Sequence, residues 1–122
     1  MAKILIIEDD PSISKVISTR LARENYEILV ASDGEEGLRR IKEEKPNLVI
    51  LDLMLPKIDG FAILQDAKAT PETQHIPIII LSNLGQTKDI DEGMKLGAVD
   101  FLIKTDFSIN QIVEKVKANI QS

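Results

Sequence analysis

Residues 48–60 read Leu48-Val49-Ile50-Leu51-Asp52-Leu53-Met54-Leu55-Pro56-Lys57-Ile58-Asp59-Gly60. The run Leu48–Leu51 is apolar on both parities, as in a strand covered on both faces. Asp52 breaks it. A carboxylate next to such a strand is costly to bury unless it is paired, hydrogen-bonded or bound to a metal. The stretch predicts a buried strand that ends on a functional acid. A strand-end carboxylate capping a backbone amide is the plainer alternative for Asp52.

Similar runs recur outward from this one: Ile4–Ile7, Ile28–Ala31, Ile76–Leu81 and Val99–Ile103. Segments of helical period separate them. Ile13, Val16, Ile17 and Leu21 fall on one predicted helical face, as do Leu38 with Ile41, and Phe61 with Leu64 and Ala67. Ile109, Ile112, Val113, Val116 and Ile120 form the clearest stripe. Asp10-Pro11 reads as an N-cap with Pro at the first helical position. Ser32 with Glu35, and Ser108 with Gln111, have capping-box spacing. Pro71 stands just past the third helix. The fourth helix, about Thr87 to Leu96, is weak, because it is poor in apolar residues and carries Gly93, which costs about 1 kcal/mol in a helix interior. Strands alternating with helices predict one α/β domain over residues 1–122, a doubly wound, parallel five-stranded sheet of (βα)5 type. The strand order 2-1-3-4-5 is that of flavodoxin-like proteins, borrowed rather than read from the pattern. With the fifth helix ending close to residue 122, the expectation is a stand-alone domain.

The polar residues cluster at the carboxyl ends of the predicted strands. Glu8, Asp9 and Asp10 follow the first, Asp52 the third, Ser82 the fourth and Lys104 the fifth. Open α/β sheets bind ligands there, where the strand order reverses. Neighbouring carboxylates raise one another's pKa. A hard cation such as Mg2+ relieves the repulsion and suits one or two carboxylates plus phosphate oxygens. Lys104 offers a compact charge for a phosphoryl oxygen and Ser82 a hydroxyl. An acidic nucleophile, a cation site, a lysine and a hydroxyl suit phosphoryl transfer by positioning and charge stabilisation. Asp10 is assigned to the helix cap, His75 to a solvated loop, and Glu35-Glu36 and Glu43-Glu44 to exposed helix surface.

The formal net charge of −5 over 122 residues argues against direct nucleic-acid binding, which needs clustered Lys and Arg. The absence of Cys excludes disulfides and thiolate metal sites. No apolar run approaches the roughly 20 residues of a membrane span. No signal peptide is visible, so the expected location is the cytoplasm.

The ordered set Ile-Leu-Ile-Ile-Glu-Asp-Asp, Leu-Asp-Leu-Met-Leu-Pro-Lys-Ile-Asp-Gly, Ile-Ile-Leu-Ser and Gly-Ala-Val-Asp-Phe-Leu-Ile-Lys resembles the receiver domains of two-component response regulators, over essentially the whole chain. The resemblance implies a phosphorylation-dependent signalling switch with Asp52 as phospho-acceptor. Asp9 would ligate Mg2+ directly, Glu8 through water, and the backbone carbonyl of Met54 would be the third protein ligand. Ser82 would bond the phosphoryl group, Lys104 would pair with one of its oxygens, and Phe101 would turn inward on activation. The implied partners are a sensor histidine kinase or phosphotransfer protein as donor, a downstream protein target, and a second copy in a phosphorylation-linked homodimer. Such a domain catalyses only its own phosphorylation and dephosphorylation. Two positions depart from the family pattern. Thr105 stands where Pro usually follows the lysine, which implies a trans bond and a reshaped loop. Asn83 stands where a small residue is usual, which implies narrower access to the phosphoryl group.

Three other classes use a similar layout. An aspartate-dependent phosphatase usually carries a second Asp two residues after the nucleophile, where this chain has Met54. A flavodoxin-like cofactor binder needs a first loop that welcomes phosphate, whereas Glu8-Asp9-Asp10 repels it. A scaffold that keeps only the fold has no need of the full polar set.

Overall fold

The structure is a computed structural model describing residues 1–106 and 108–120. Among these, strands and helices alternate strictly: β1 Lys3–Ile7, α1 Pro11–Ala22, β2 Glu27–Ala31, α2 Gly34–Glu44, β3 Leu48–Leu51, α3 Gly60–Ala69, β4 Ile78–Ser82, α4 Thr87–Lys95, β5 Asp100–Ile103 and α5 Ile109–Asn119. All strand pairs are parallel and the order is β2-β1-β3-β4-β5. No described helix is long and apolar enough to cross a membrane.

Strand parity explains the two cores. Leu5, Ile7, Val49, Leu51, Ile78 and Ile80 face one side and pack with Ile41 of α2 and Ile63, Leu64 and Ala67 of α3. Ile4, Ile6, Leu48, Ile50, Ile79 and Leu81 face the other, against Ile17 and Leu21 of α1 and Ile112, Val113 and Val116 of α5. Both faces are therefore covered, as a continuous apolar strand requires.

The expected elements all form, with local corrections. Ile76 and Pro77 lie before β4 rather than in it. The Ile76 amide donates to the Thr73 carbonyl and Pro77 has no amide to give, so pairing starts at Ile78 and runs on to Ser82. β5 starts at Asp100, one residue later than expected. Val16, placed on the buried stripe of α1 by its spacing, is 60% exposed, because Ile13, Ile17 and Leu21 suffice to meet the sheet. The cap of α2 is Asp33, not Ser32. Its carboxylate accepts from the Glu36 amide at 2.8 Å, and Glu36 Oε1 accepts from the Ser32 amide at 3.0 Å. The Asp10 cap of α1 and the Ser108–Gln111 capping box of α5 form as expected. No described peptide bond is cis, so the Lys104–Thr105 bond is trans.

Gly93, read as a weakness of α4, has a packing reason. A Cβ there would lie 2.6 Å from Ile80 Cδ1 and 3.3 Å from Phe101 Cδ2. At the end of α2, Lys45 is held left-handed at φ 44° and ψ 61°. That conformation favours Gly at a helix C-terminus. Lys45→Gly is expected to raise unfolding stability by about 0.5–1 kcal/mol, read from urea midpoints at unchanged m-value.

Candidate functional site

Parallel pairing delivers the polar residues to one crevice. The register Ile7↔Leu51 ends β1 and β3 level with each other, and Ser82↔Ile103 does the same for β4 and β5. The ladder continues one residue beyond the strands. The amides of Glu8, Asp52 and Lys104 donate to the carbonyls of Ala31, Ile7 and Ser82, at 3.0, 3.0 and 2.9 Å. Glu8 and Asp52 thus leave from fixed backbone positions on either side of the switch point between β1 and β3, and Lys104 from a fixed position at the end of β5.

Asp52 is 4% and Glu8 3% exposed, while Ser82 is fully buried and Asp9 is open to solvent. Lys104 Nζ donates to Asp52 Oδ2 at 2.8 Å and lies 2.5 Å from Glu8 Oε1. The Met54 amide donates to Asp52 Oδ1 at 3.2 Å, and the Asp10 amide to Glu8 Oε2 at 3.2 Å. Ser82 Oγ accepts from the Leu84 amide at 3.3 Å. Phe101 is half-buried against the core beside Gly93, and Asn83 is exposed.

Burial pushes the Glu8 carboxyl up to about 7, against the lowering pull of Lys104 and the Asp10 amide. Burial also draws the Lys104 ammonium down, but its contacts with Asp52 and Glu8 outweigh this and the net shift is upward. The lysine is therefore locked in its charged form between two carboxylates.

Glu8, Asp9 and Asp52 each offer a carboxylate oxygen within 4.8 Å of the other two. Glu8 Oε1 is buried, and although the Lys104 ammonium is close, no donor is aligned on it. Three carboxylates gathered round one point, two of them buried and sharing a single ammonium, fit a hard divalent cation with oxygen ligands. The structure thus brings together Glu8, Asp9, Asp52 and Lys104, with Met54 adjoining through its amide, and places Ser82 at the end of β4, the strand next to β3. Phe101 lies further along β5, against α4. The direct Glu8–Lys104 ion pair was not foreseen, since sequence places Glu8 near the cation but does not orient Lys104.

Fold and site define a class, the signalling receiver built on a flavodoxin-like sheet. The family model described as response regulator receiver domain matches residues 4–117. The chain is 40% identical over 116 residues to a probable transcriptional regulator, ycf27, of Porphyridium aerugineum, covering 95% of this chain and 47% of that protein. It is 40% identical over 118 residues to the DNA-binding dual master transcriptional regulator RpaA of Synechocystis, covering 97% and 48%. It therefore spans about half the length of these curated relatives. Among solved structures, the receiver domain of Francisella response regulator 1452 superposes with TM-score 0.89 at 32% identity, covering 97% of this chain and 95% of that one. The chemotaxis response regulator CheY4 of Vibrio cholerae gives 0.90 at 26% identity, covering 98% and 99%. The chain belongs to the response regulator receiver domain family, whose members are phosphorylation-dependent signalling switches.

Proposed function

We propose that residues 1–122 form one receiver domain, in which Asp52 accepts a phosphoryl group and the gain of charge alters a partner-binding face. The observation that carries this is the buried bridge from Lys104 to both Asp52 and Glu8. An Asp52 carboxylate oxygen forms the new bond to phosphorus. The donor's bond to phosphorus breaks, and its electron pair leaves with the donor. A phosphohistidine of a sensor kinase or phosphotransfer protein suits this step, because its imidazole is a good leaving group. Lys104 loses its Asp52 contact and follows the charge onto a phosphoryl oxygen, and the Ser82 hydroxyl meets another. Asp9, Asp52 and the Met54 carbonyl would hold Mg2+, with Glu8 acting through water. The cation supplies neutralisation between the carboxylates and the incoming phosphoryl oxygens.

Water resets the acyl phosphate, so the domain turns over no other substrate and is not an enzyme in the usual sense. Its output is a protein contact, with a second copy of the chain or a downstream target. The −5 net charge supports neither direct nucleic-acid binding nor attachment to an anionic membrane, and the chemistry suits the cytoplasm.

A route for the signal runs from Ser82 and Lys104 into α4 and β5. The N-cap position of α4, Gln86, makes no side-chain cap bond, and Gly93 gives the helix a bare contact with Phe101. An uncapped helix on a small contact is a suitable two-state element. After full phosphorylation by a small acyl phosphate, amide exchange across residues 82–106 is expected to change in the parent and not in Asp52→Asn. Unaltered exchange in fully phosphorylated protein would remove the switch from this face.

A further inference from the structure

The loop between β3 and α3 carries Met54, and the start of α2 holds that loop from the side. The Gly34 amide donates to the Pro56 carbonyl at 3.0 Å. A Cβ on Gly34 would lie 1.8 Å from the Ile58 carbonyl oxygen and 2.9 Å from Ile58 Cβ, so only hydrogen fits. The Ile58 amide also donates to the Pro56 carbonyl, at 2.9 Å, closing a three-residue turn with Lys57 at φ 73°. This is the strained, left-handed form of the γ-turn, which persists only where its surroundings hold it. Lys57 Nζ reaches Asp33 Oδ2 at 3.5 Å, and Asp33 caps the same helix. At the far end of the loop the Gly60 amide donates to the Leu53 carbonyl at 2.9 Å, and a Cβ on Gly60 would meet the Asp52 carbonyl at 2.4 Å. The loop is thus pinned at its root by Gly60 and at its crest by Gly34.

We infer that Gly34 is a positioning residue for the cation site: its close approach to Ile58 fixes the β3–α3 loop and with it the Met54 carbonyl. The inference rests on the proposed role of that carbonyl as a Mg2+ ligand. Any side chain at position 34 must push the crest of the loop away from α2. The displacement is transmitted to Met54 because the other end, at Gly60, cannot yield. Gly34 itself touches no ligand oxygen, so its effect is on placement alone.

The test is calorimetric titration of the full chain with MgCl2, with thermal unfolding in EDTA alongside, for the parent, Gly34→Ala and Gly37→Ala. Gly37 is the control, because a Cβ there meets the Ile7 side chain at 2.7 Å in the core and not the loop. Gly34→Ala is expected to bind Mg2+ at least about tenfold more weakly, as when a group that orients a ligand is lost. Gly37→Ala is expected to lose thermal stability yet keep the parent's affinity. A folded Gly34→Ala with parental affinity overturns the inference. A parent that binds no Mg2+ overturns the cation reading itself, and the inference with it. Should Gly34→Ala not fold, Asp33→Ala and Asp33→Asn are compared. They lose the same charge, but only Asn keeps the acceptor that caps α2. Weaker Mg2+ binding by the Ala variant than by the Asn variant supports the inference, and equal binding overturns it.

Discussion

Asp52→Asn, incubated with Mg2+ and a small acyl phosphate donor, is expected to take up no phosphoryl group, while the parent gains one by intact mass. The substitution keeps the shape of the side chain and an oxygen able to accept from the Met54 amide. It removes the anionic oxygen that attacks phosphorus, and a carboxamide is no substitute as a nucleophile. Uptake should therefore fall below detection rather than by a modest factor. Folding should be spared, because Lys104 retains Glu8 as a counter-ion. Chelation of Mg2+ should abolish labelling of the parent equally, since neighbouring carboxylates then face the incoming phosphoryl oxygens with only Lys104 to compensate. Labelling that survives in Asp52→Asn would move the acceptor elsewhere and dismantle the proposed site. If a comparison receiver is labelled under the same conditions and the parent is not, a chain that keeps the fold but no longer uses phosphate becomes the better reading.

The elements were legible because each is written locally. Leu48–Leu51 announces a strand by being apolar on both parities, and Ser108–Gln111 announces a helix start by its spacing. The errors lie where a long-range partner decides. Ser32 has a cap residue's chemistry as good as that of Asp33, but the Asp33 carboxylate takes the Glu36 amide and the Glu36 side chain turns back to the Ser32 amide, while the Gly34 amide goes to the distant Pro56 carbonyl, so the helix begins one residue later than Ser32 suggests. Val16 has the spacing of a core residue and lies outside the core, because periodicity gives a stripe and not its width. Strand order is a tertiary property that came with the family resemblance. The site was legible as a set of residues at strand ends. The Glu8–Lys104 ion pair and the hold of α2 on the β3–α3 loop were not, since both depend on residues far apart in the chain approaching within a few ångströms.

Lys104→Met is expected to destabilise the Mg2+-free protein by about 3 kcal/mol, lowering the unfolding midpoint by roughly 10 °C. The methionine matches the aliphatic stem, so the loss is one of charge rather than packing. Lys104 bridges two carboxylates that are 3% and 5% exposed, and removing one partner of a buried pair leaves uncompensated charge. The low end of the usual range, about 3–5 kcal/mol, applies because Glu8 has an escape. Its carboxyl is already pushed up to about 7 by burial and can shed its charge by taking a proton. Mg2+ should then stabilise the variant more than the parent, since a cation entering the crevice no longer competes with an ammonium for the same oxygens, and tighter binding to the native state means a larger gain. Scanning calorimetry of both proteins in EDTA and in MgCl2 measures the two increments. A variant as stable as the parent in EDTA would mean that water already compensates the carboxylates and that Lys104 serves the phosphoryl group alone. A variant that Mg2+ fails to rescue would mean that the acidic residues do not gather around a cation.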